Sequence, residues 1–126
     1  MAARCVEINN GLNKIIQHEL PDGSLHGAQK VLNNQDVLVA LAHYAHGQFH
    51  GTVTEWDAQG ARRYLAHYAH GQFHGTVEEW NAQGQQTQVH TYKHGKWHGI
   101  FADWNDQGQR VALAHYADNT LVRREM

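Results

Sequence analysis

LAHYAHGQFHGTVEEWNAQG, residues Leu65–Gly84, decides how this chain is read, because Leu41–Gly60 carries the same text 24 residues earlier. The two copies differ only at Thr54/Glu78 and Asp57/Asn81. A looser third copy runs over Val89–Gly108, and a fourth can be traced backwards to Leu20. A fixed period of this size points to a stacked array, in which each unit buries its surface against its neighbours rather than around one central core.

Each unit carries a G-x-x-H-G motif: GSLHG at Gly23–Gly27, GQFHG at Gly47–Gly51 and Gly71–Gly75, and GKWHG at Gly95–Gly99. Five residues beyond its second glycine stand Leu32, Trp56, Trp80 and Trp104. A second turn follows, Asp57-Ala-Gln-Gly60, Asn81-Ala-Gln-Gly84 or Asn105-Asp-Gln-Gly108, with Asp or Asn first and Gly fourth as a type I turn prefers. In the earliest unit Asp36 takes the place of that glycine. The next run ends in Tyr44, Tyr68, Tyr92 or Tyr116. Helices do not fit, since Gly51, Gly75 and Gly99 would lie inside them at a cost of about 1 kcal/mol each relative to Ala. Turn signals about every twelve residues leave strands of roughly six to eight, an all-β signature. Each unit is therefore expected to be a β-hairpin, with one strand over about Phe49–Trp56 and its mate over about Ala61–Tyr68.

The fold class that follows is all-β, an elongated single-layer antiparallel β-hairpin array with a 24-residue period. Period-two alternation places Phe49, Gly51, Val53 and Glu55 on one side of the first strand and His50, Thr52, Thr54 and Trp56 on the other. Neither side is cleanly apolar, which suits a thin sheet held by rings over glycines. Trp56, Trp80 and Trp104 are expected to stack as one ladder and Tyr44, Tyr68, Tyr92 and Tyr116 as another. With two strands per unit at about 4.8 Å, the body is expected to extend roughly 45–50 Å. Residues 1–19 read as a degenerate half-unit or cap, with a strand near Lys14–Leu20 preferred over a short helix. Residues 20–118 form the tandem array, and 119–126 a capping strand. There Asn119 stands in the glycine register, Arg123 replaces the second glycine, and the charges of Arg123, Arg124 and Glu125 guard an edge.

Leu, Ile, Val and Phe make up only about a fifth of the 126 residues, yet net charge is −2 and the aromatics recur in register, which favours order. Cys5, the single cysteine, has no partner for an intramolecular disulfide, and a reducing, cytoplasmic location is expected. No apolar run approaches the roughly 20 residues of a membrane span. Ten Lys/Arg against twelve Asp/Glu leave no basic footprint, so nucleic acid is not the expected ligand.

The pattern Y-x-x-G-x-x-H-G-x-x-x-x-W-x-x-x-G, as in HYAHGQFHGTVTEWDAQG and TYKHGKWHGIFADWNDQG, resembles the MORN-repeat variant of bacterial proteins, among them antitoxin or immunity proteins encoded beside polymorphic toxins. The resemblance covers about Leu20–Arg124. It implies an open, twisted hairpin array that acts as a binding surface, with Gly47, Gly51, Trp56, Gly60, Tyr68, Gly71, Gly75, Trp80, Gly84, Tyr92, Gly95, Gly99, Trp104 and Gly108 as its structural positions. Leu32 and Asp36, in place of Trp and Gly, and Asn119 are departures from the pattern.

Twelve histidines invite a metal reading. A metal site needs three or four ligands within about 2.0–2.3 Å of one ion, whereas equivalent side chains of stacked units lie roughly 10 Å apart. No metal and no cofactor is expected. Ser24, the only serine, and Cys5 lack the surroundings of a nucleophile. The carboxylates Glu55, Glu79 and Asp103 recur once per unit, as a solvated edge does, and no glycine pattern matches a phosphate-binding loop. Enzymatic activity is not expected. What remains is surface: His70, Gln72, Phe73, Glu78, Glu79, Phe49, Glu55, Trp97 and Asp103 are the candidate partner-binding residues, aromatic and acidic together. The expected partner is another protein, a cognate bacterial toxin for an immunity protein that acts by stoichiometric occlusion. The alternatives are a self-associating scaffold or, less favoured by the low basic content, a module that associates with membrane surfaces.

Overall fold

The computed structural model describes residues 2–125. Met1 and Met126, the outermost residues of the two segments expected to cap the array, lie outside the described residues. The described chain forms eleven strands and no helix: β1 Arg4–Asn9, β2 Asn13–Glu19, β3 Gly27–Asn33, β4 Leu38–Ala45, β5 Gln48–Trp56, β6 Arg62–Ala69, β7 Gln72–Trp80, β8 Gln86–Lys93, β9 Lys96–Trp104, β10 Arg110–Ala117 and β11 Thr120–Glu125. They make one antiparallel sheet in chain order, open at β1 and β11. Steps of about 4.8 Å between neighbours separate the two edges by roughly 48 Å along the sheet. The strand expected near Lys14–Leu20 is β2, and Leu20, Pro21, Asp22 and Gly23 turn after it, with the Gly23 N–H donating to the Leu20 carbonyl at 2.8 Å.

Two kinds of turn alternate. The tight one joins β4 to β5 through His46 and Gly47, whose φ angles of 49° and 81° are the two positive values of a type I′ turn. His70-Gly71, His94-Gly95 and Asp118-Asn119 repeat it, and Asn119 takes φ 70° where a glycine stands in the other three. The longer turn is an Asx loop: Asp57 accepts the Gln59 and Ala61 N–H groups on Oδ1 at 3.0 and 2.9 Å, and its carbonyl accepts the Gly60 N–H. Asn81 and Asn105 do the same, and Asn33 starts a loop in which Asp36 itself adopts φ 61°.

Between β6 and β7 the register passes from Ala66↔Val77 to Tyr68↔Phe73, so β7 carries two residues more than β6 across that step. Gly75 sits in this bulge with φ 112°, and a Cβ there would lie 3.1 Å from Cβ of His67. Both the backbone conformation and the space call for glycine.

The core is a strip rather than a ball. Ala42, Val53, Ala66, Val77, His90, Phe101 and Ala114 are paired in succession from β4 to β10, a row running across the strands. Ala66 is fully buried and Val77 is 5% exposed, but no larger side chain reaches full burial. Small residues lie here because the rings beside them cover the strip.

The stacking expected of like residues is corrected by the register. Tyrosines of successive units are two strands apart, about 10 Å, too far for rings to touch. The intervening strand supplies a phenylalanine instead: Tyr44, Phe49, Tyr68, Phe73 and Tyr92 form one line with ring centroids 4.8 Å apart at every step. The tryptophans are separated in the same way. Arg62, opposite Trp56 in the register, places its guanidinium 4.5 Å from the centroid of the Trp80 ring, so cation and ring alternate where ring on ring was expected.

Candidate functional site

A single sheet presents two faces and two long rims of turns, and the register assigns each side chain to one of them. One face carries the tyrosine–phenylalanine line, the buried strip and a third row in which Ala40, Glu55, Tyr64, Glu79, Gln88 and Asp103 are paired in succession. This is the aromatic face. Between β3 and β10 its charged side chains are the carboxylates Glu55, Glu79 and Asp103, with no lysine or arginine among the residues paired there. The opposite face carries Lys30, Arg62 and Arg110, together with Glu78, Leu41, Leu65 and the tryptophans Trp56, Trp80 and Trp104. Charge is thus sorted between faces although the chain is close to neutral.

The opposite face and the rim are occupied by internal hydrogen bonds. The His43 and His67 Nδ1–H groups donate to the carbonyls of Thr52 and Thr76, each at 2.9 Å. Glu78 is held by Gln86 Nε2 at 3.0 Å and by the Thr76 hydroxyl at 3.4 Å. On the rim of tight turns, His46, His70 and His94 donate their backbone N–H groups to Nδ1 of His26, His50 and His74 at 3.2, 3.5 and 3.3 Å. Their rings meet pairwise at 5.0, 5.4 and 5.0 Å. The histidine of G-x-x-H-G is therefore an acceptor that ties one hairpin to the next, and its Nδ1 must carry no proton. Gly71 adds a parallel tie, its N–H donating to the Phe49 carbonyl at 3.0 Å. Among the described residues no three His, Cys, Asp or Glu side chains converge as metal ligands would.

The aromatic face is different, because its carboxylates are less engaged. Glu55 and Glu79 flank the Tyr64 ring in the register and form no ion pair with another described residue, while Asp103 accepts from His90 Nε2 at 2.9 Å. His90 in turn lies flat on Phe101, with centroids 4.0 Å apart and planes 3° apart. Burial pushes the Tyr64 phenol well above its ordinary value, helped by Tyr68 and by the negative charges of Glu55 and Glu79 on either side. Tyr44 is raised for the same first reason, burial. Toward β11 the face dips into a depression of about 300 Å³ lined by Phe101, Asp103, Tyr116 and Arg124 among others.

No protein-family model matches the chain, and no curated protein does. Geometry alone sorts the candidate residues. Phe49, Phe73, Trp97, Glu55, Glu79 and Asp103 share the aromatic face, where Phe49 and Phe73 are also links of the ring line. Glu78, next in sequence to Glu79, points to the opposite face, as period two requires. His70 stands on the rim, and Gln72 packs over the neighbouring turn, its Cβ 3.6 Å from where a Cβ on Gly95 would be. Trp97 is 40% exposed because Phe101, larger than the valines Val53 and Val77 of the same row, takes up the space beside Tyr116. Tyr64 is not among the candidate residues, although counting in twos from Tyr68 puts it on the side of Ala66 and Tyr68, and the register sets it between both glutamates.

Proposed function

We propose that this chain is a protein-binding repeat array of the MORN-variant kind with a 24-residue unit, and that it acts as an immunity or antitoxin protein, neutralising a cognate toxin by stoichiometric binding. The observation that carries the reading is the distribution of its surface. The repeated glycines, histidines and turn residues are consumed in holding hairpins to one another, whereas one continuous face presents half-buried rings and the carboxylates Glu55 and Glu79, which form no ion pair with another described residue, on a single layer. Aromatic, sparsely charged surface of this kind is what protein partners use. A surface that recurs along an array also suits occlusion of a large partner better than it suits catalysis at a point. The test is co-expression with the toxic domain encoded by the adjacent reading frame: growth is rescued and a one-to-one complex co-purifies. Toxicity unchanged by co-expression, with no complex, rejects the reading.

A second reading, a self-associating scaffold, is favoured by the two open edges. β1 and β11 each offer an unpaired row of backbone groups, and Ile8 and Val122 on them are 42% and 66% exposed. Light scattering across protein concentration separates the two, since a scaffold grows in mass and an immunity protein does not.

A further inference from the structure

We infer that the aromatic face binds a cationic protein segment, an extended stretch of a partner that lies across the strands and sets lysine or arginine side chains against Glu55, Glu79 and Asp103. The inference rests on the protein-binding reading above and specifies its partner. Three observations carry it.

The first is charge. Between β3 and β10 this face holds three carboxylates and no lysine or arginine, while Lys30, Arg62 and Arg110 all fall on the other side. Glu55 and Glu79 form no ion pair with another described residue. A neutral or acidic partner would desolvate those carboxylates without return, and a cationic one would pair them.

The second is what stands beside the carboxylates. Tyr64 lies between Glu55 and Glu79, and the line of Tyr44, Phe49, Tyr68, Phe73 and Tyr92 runs parallel to them on the same face. Ring faces attract ammonium and guanidinium groups, and rings beside carboxylates hold them from two directions. The chain displays this chemistry itself. Arg124, on the aromatic face opposite Ala114, lines the depression formed by Phe101, Tyr116 and Asp103. At that end an arginine of the chain already stands where rings and a carboxylate meet.

The third is spacing. Glu55, Glu79 and Asp103 lie on β5, β7 and β9, so they recur every two strands, roughly 9.6 Å. A polyproline II segment rises about 3.1 Å per residue with three residues per turn, so every third side chain returns to one side after about 9.3 Å. Basic residues at every third position of such a segment fall into register with the three carboxylates.

The experiment uses fluorescein-labelled (Arg-Pro-Pro)4 and (Gln-Pro-Pro)4 with the full chain, read by anisotropy at low and high salt. The arginine peptide is expected to bind at least tenfold more tightly than the glutamine peptide, and the difference to vanish in about 0.5 M salt. The double substitution Glu55→Gln and Glu79→Gln should weaken binding tenfold or more, while Glu78→Gln on the opposite face should change it less than twofold. On the unaltered protein, the peptide should shift NMR resonances of Tyr64, Tyr68 and Phe73 and leave those of Trp56, Trp80 and Trp104 in place. Equal binding of the two peptides, an unaffected double variant, equal sensitivity to Glu78→Gln, or shifts at Trp56, Trp80 and Trp104 would each overturn the inference. Rescue against a toxin with no preference for the arginine peptide would leave the immunity reading standing and remove this one. Arginine-peptide binding without rescue would do the reverse.

Discussion

At the scale of single residues, the glycines and imidazoles are not interchangeable copies of one another. Gly75 and Gly84 both have positive φ, but a Cβ on Gly75 would meet Cβ of His67 at 3.1 Å while a Cβ on Gly84 would meet nothing within 4 Å. Gly75→Ala should therefore cost about 1–3 kcal/mol in denaturant unfolding, from backbone strain and the clash together. Gly84→Asn should cost less than about 1 kcal/mol, because Asn tolerates the left-handed region and Asp36 already occupies it at the matching turn. The imidazoles also divide by role. His43 and His67 donate from Nδ1, whereas His26, His50 and His74 accept on it. The double change His50→Ala and His74→Ala should lower stability by about 1–2 kcal/mol in the same denaturant unfolding. An unchanged stability in that double variant would count against the hydrogen-bond assignment.

At the scale of elements, the unit of cohesion is a strand with the ring line that crosses it. Phe73 touches Tyr68 on one side and Tyr92 on the other, both at 4.8 Å, so Phe73→Ala breaks the line in the middle. A half-buried ring that loses two aromatic contacts should cost about 2–3 kcal/mol, below the 3–5 kcal/mol of a fully buried phenylalanine. Phe73→Leu should recover about half of that in the same denaturant titration. The rings also set the behaviour in alkali. Tyr44 and Tyr64 are harder to ionise in the folded sheet than in the unfolded chain, first because they are buried. Below the ordinary phenol value near 10 both states hold the proton and stability is unaffected. Above it the unfolded chain ionises first, so stability falls as pH rises past about 10. Absorbance at 295 nm should show part of the tyrosine ionisation delayed until the sheet unfolds, and Tyr64→Phe should remove part of that delay.

At the scale of the whole molecule, cohesion is local in sequence. Each strand pairs with its immediate neighbours in the chain and no strand crosses over another, so β1 and β11 are held from one side only. Stability is then a sum over neighbouring interfaces, and opening should start at the ends. Amide exchange should be fastest in β1 and β11 and slowest in β6 and β7, where both sides are paired and Ala66 and Val77 are buried. Uniform protection across all eleven strands would show instead a single cooperative unit. Among the described residues no helix is long and apolar enough to cross a membrane. The sorting of charge between faces is also a property of the whole, since the register lines up Glu55, Tyr64, Glu79, Gln88 and Asp103 in one row while the bulges beside them pair Arg62 and Arg110 with Trp56 and Trp104.

Much of this was legible in the residues alone. Glycines, Asx residues and the spacing of twelve between turns determined the strands and their order, because turn conformations are set locally and antiparallel neighbours joined by short turns have little choice of partner. The first hairpin's outer strand, β1, was read only as part of a decayed half-unit, since Arg4–Asn9 has neither motif glycine nor aromatic. What touches what across strands was not legible from the repeat. Matching like with like suggested tyrosine on tyrosine and tryptophan on tryptophan, whereas two strands separate equivalent residues and the strand between them supplies Phe49, Phe73 and Arg62. The candidate surface divided for a related reason, Glu78 and Glu79 being adjacent in the chain and on opposite sides of the sheet. The sequence by itself determined an open antiparallel sheet through its turns. Only the tertiary structure, through register and bulges, decided which rings pack together and that one face is aromatic and acidic.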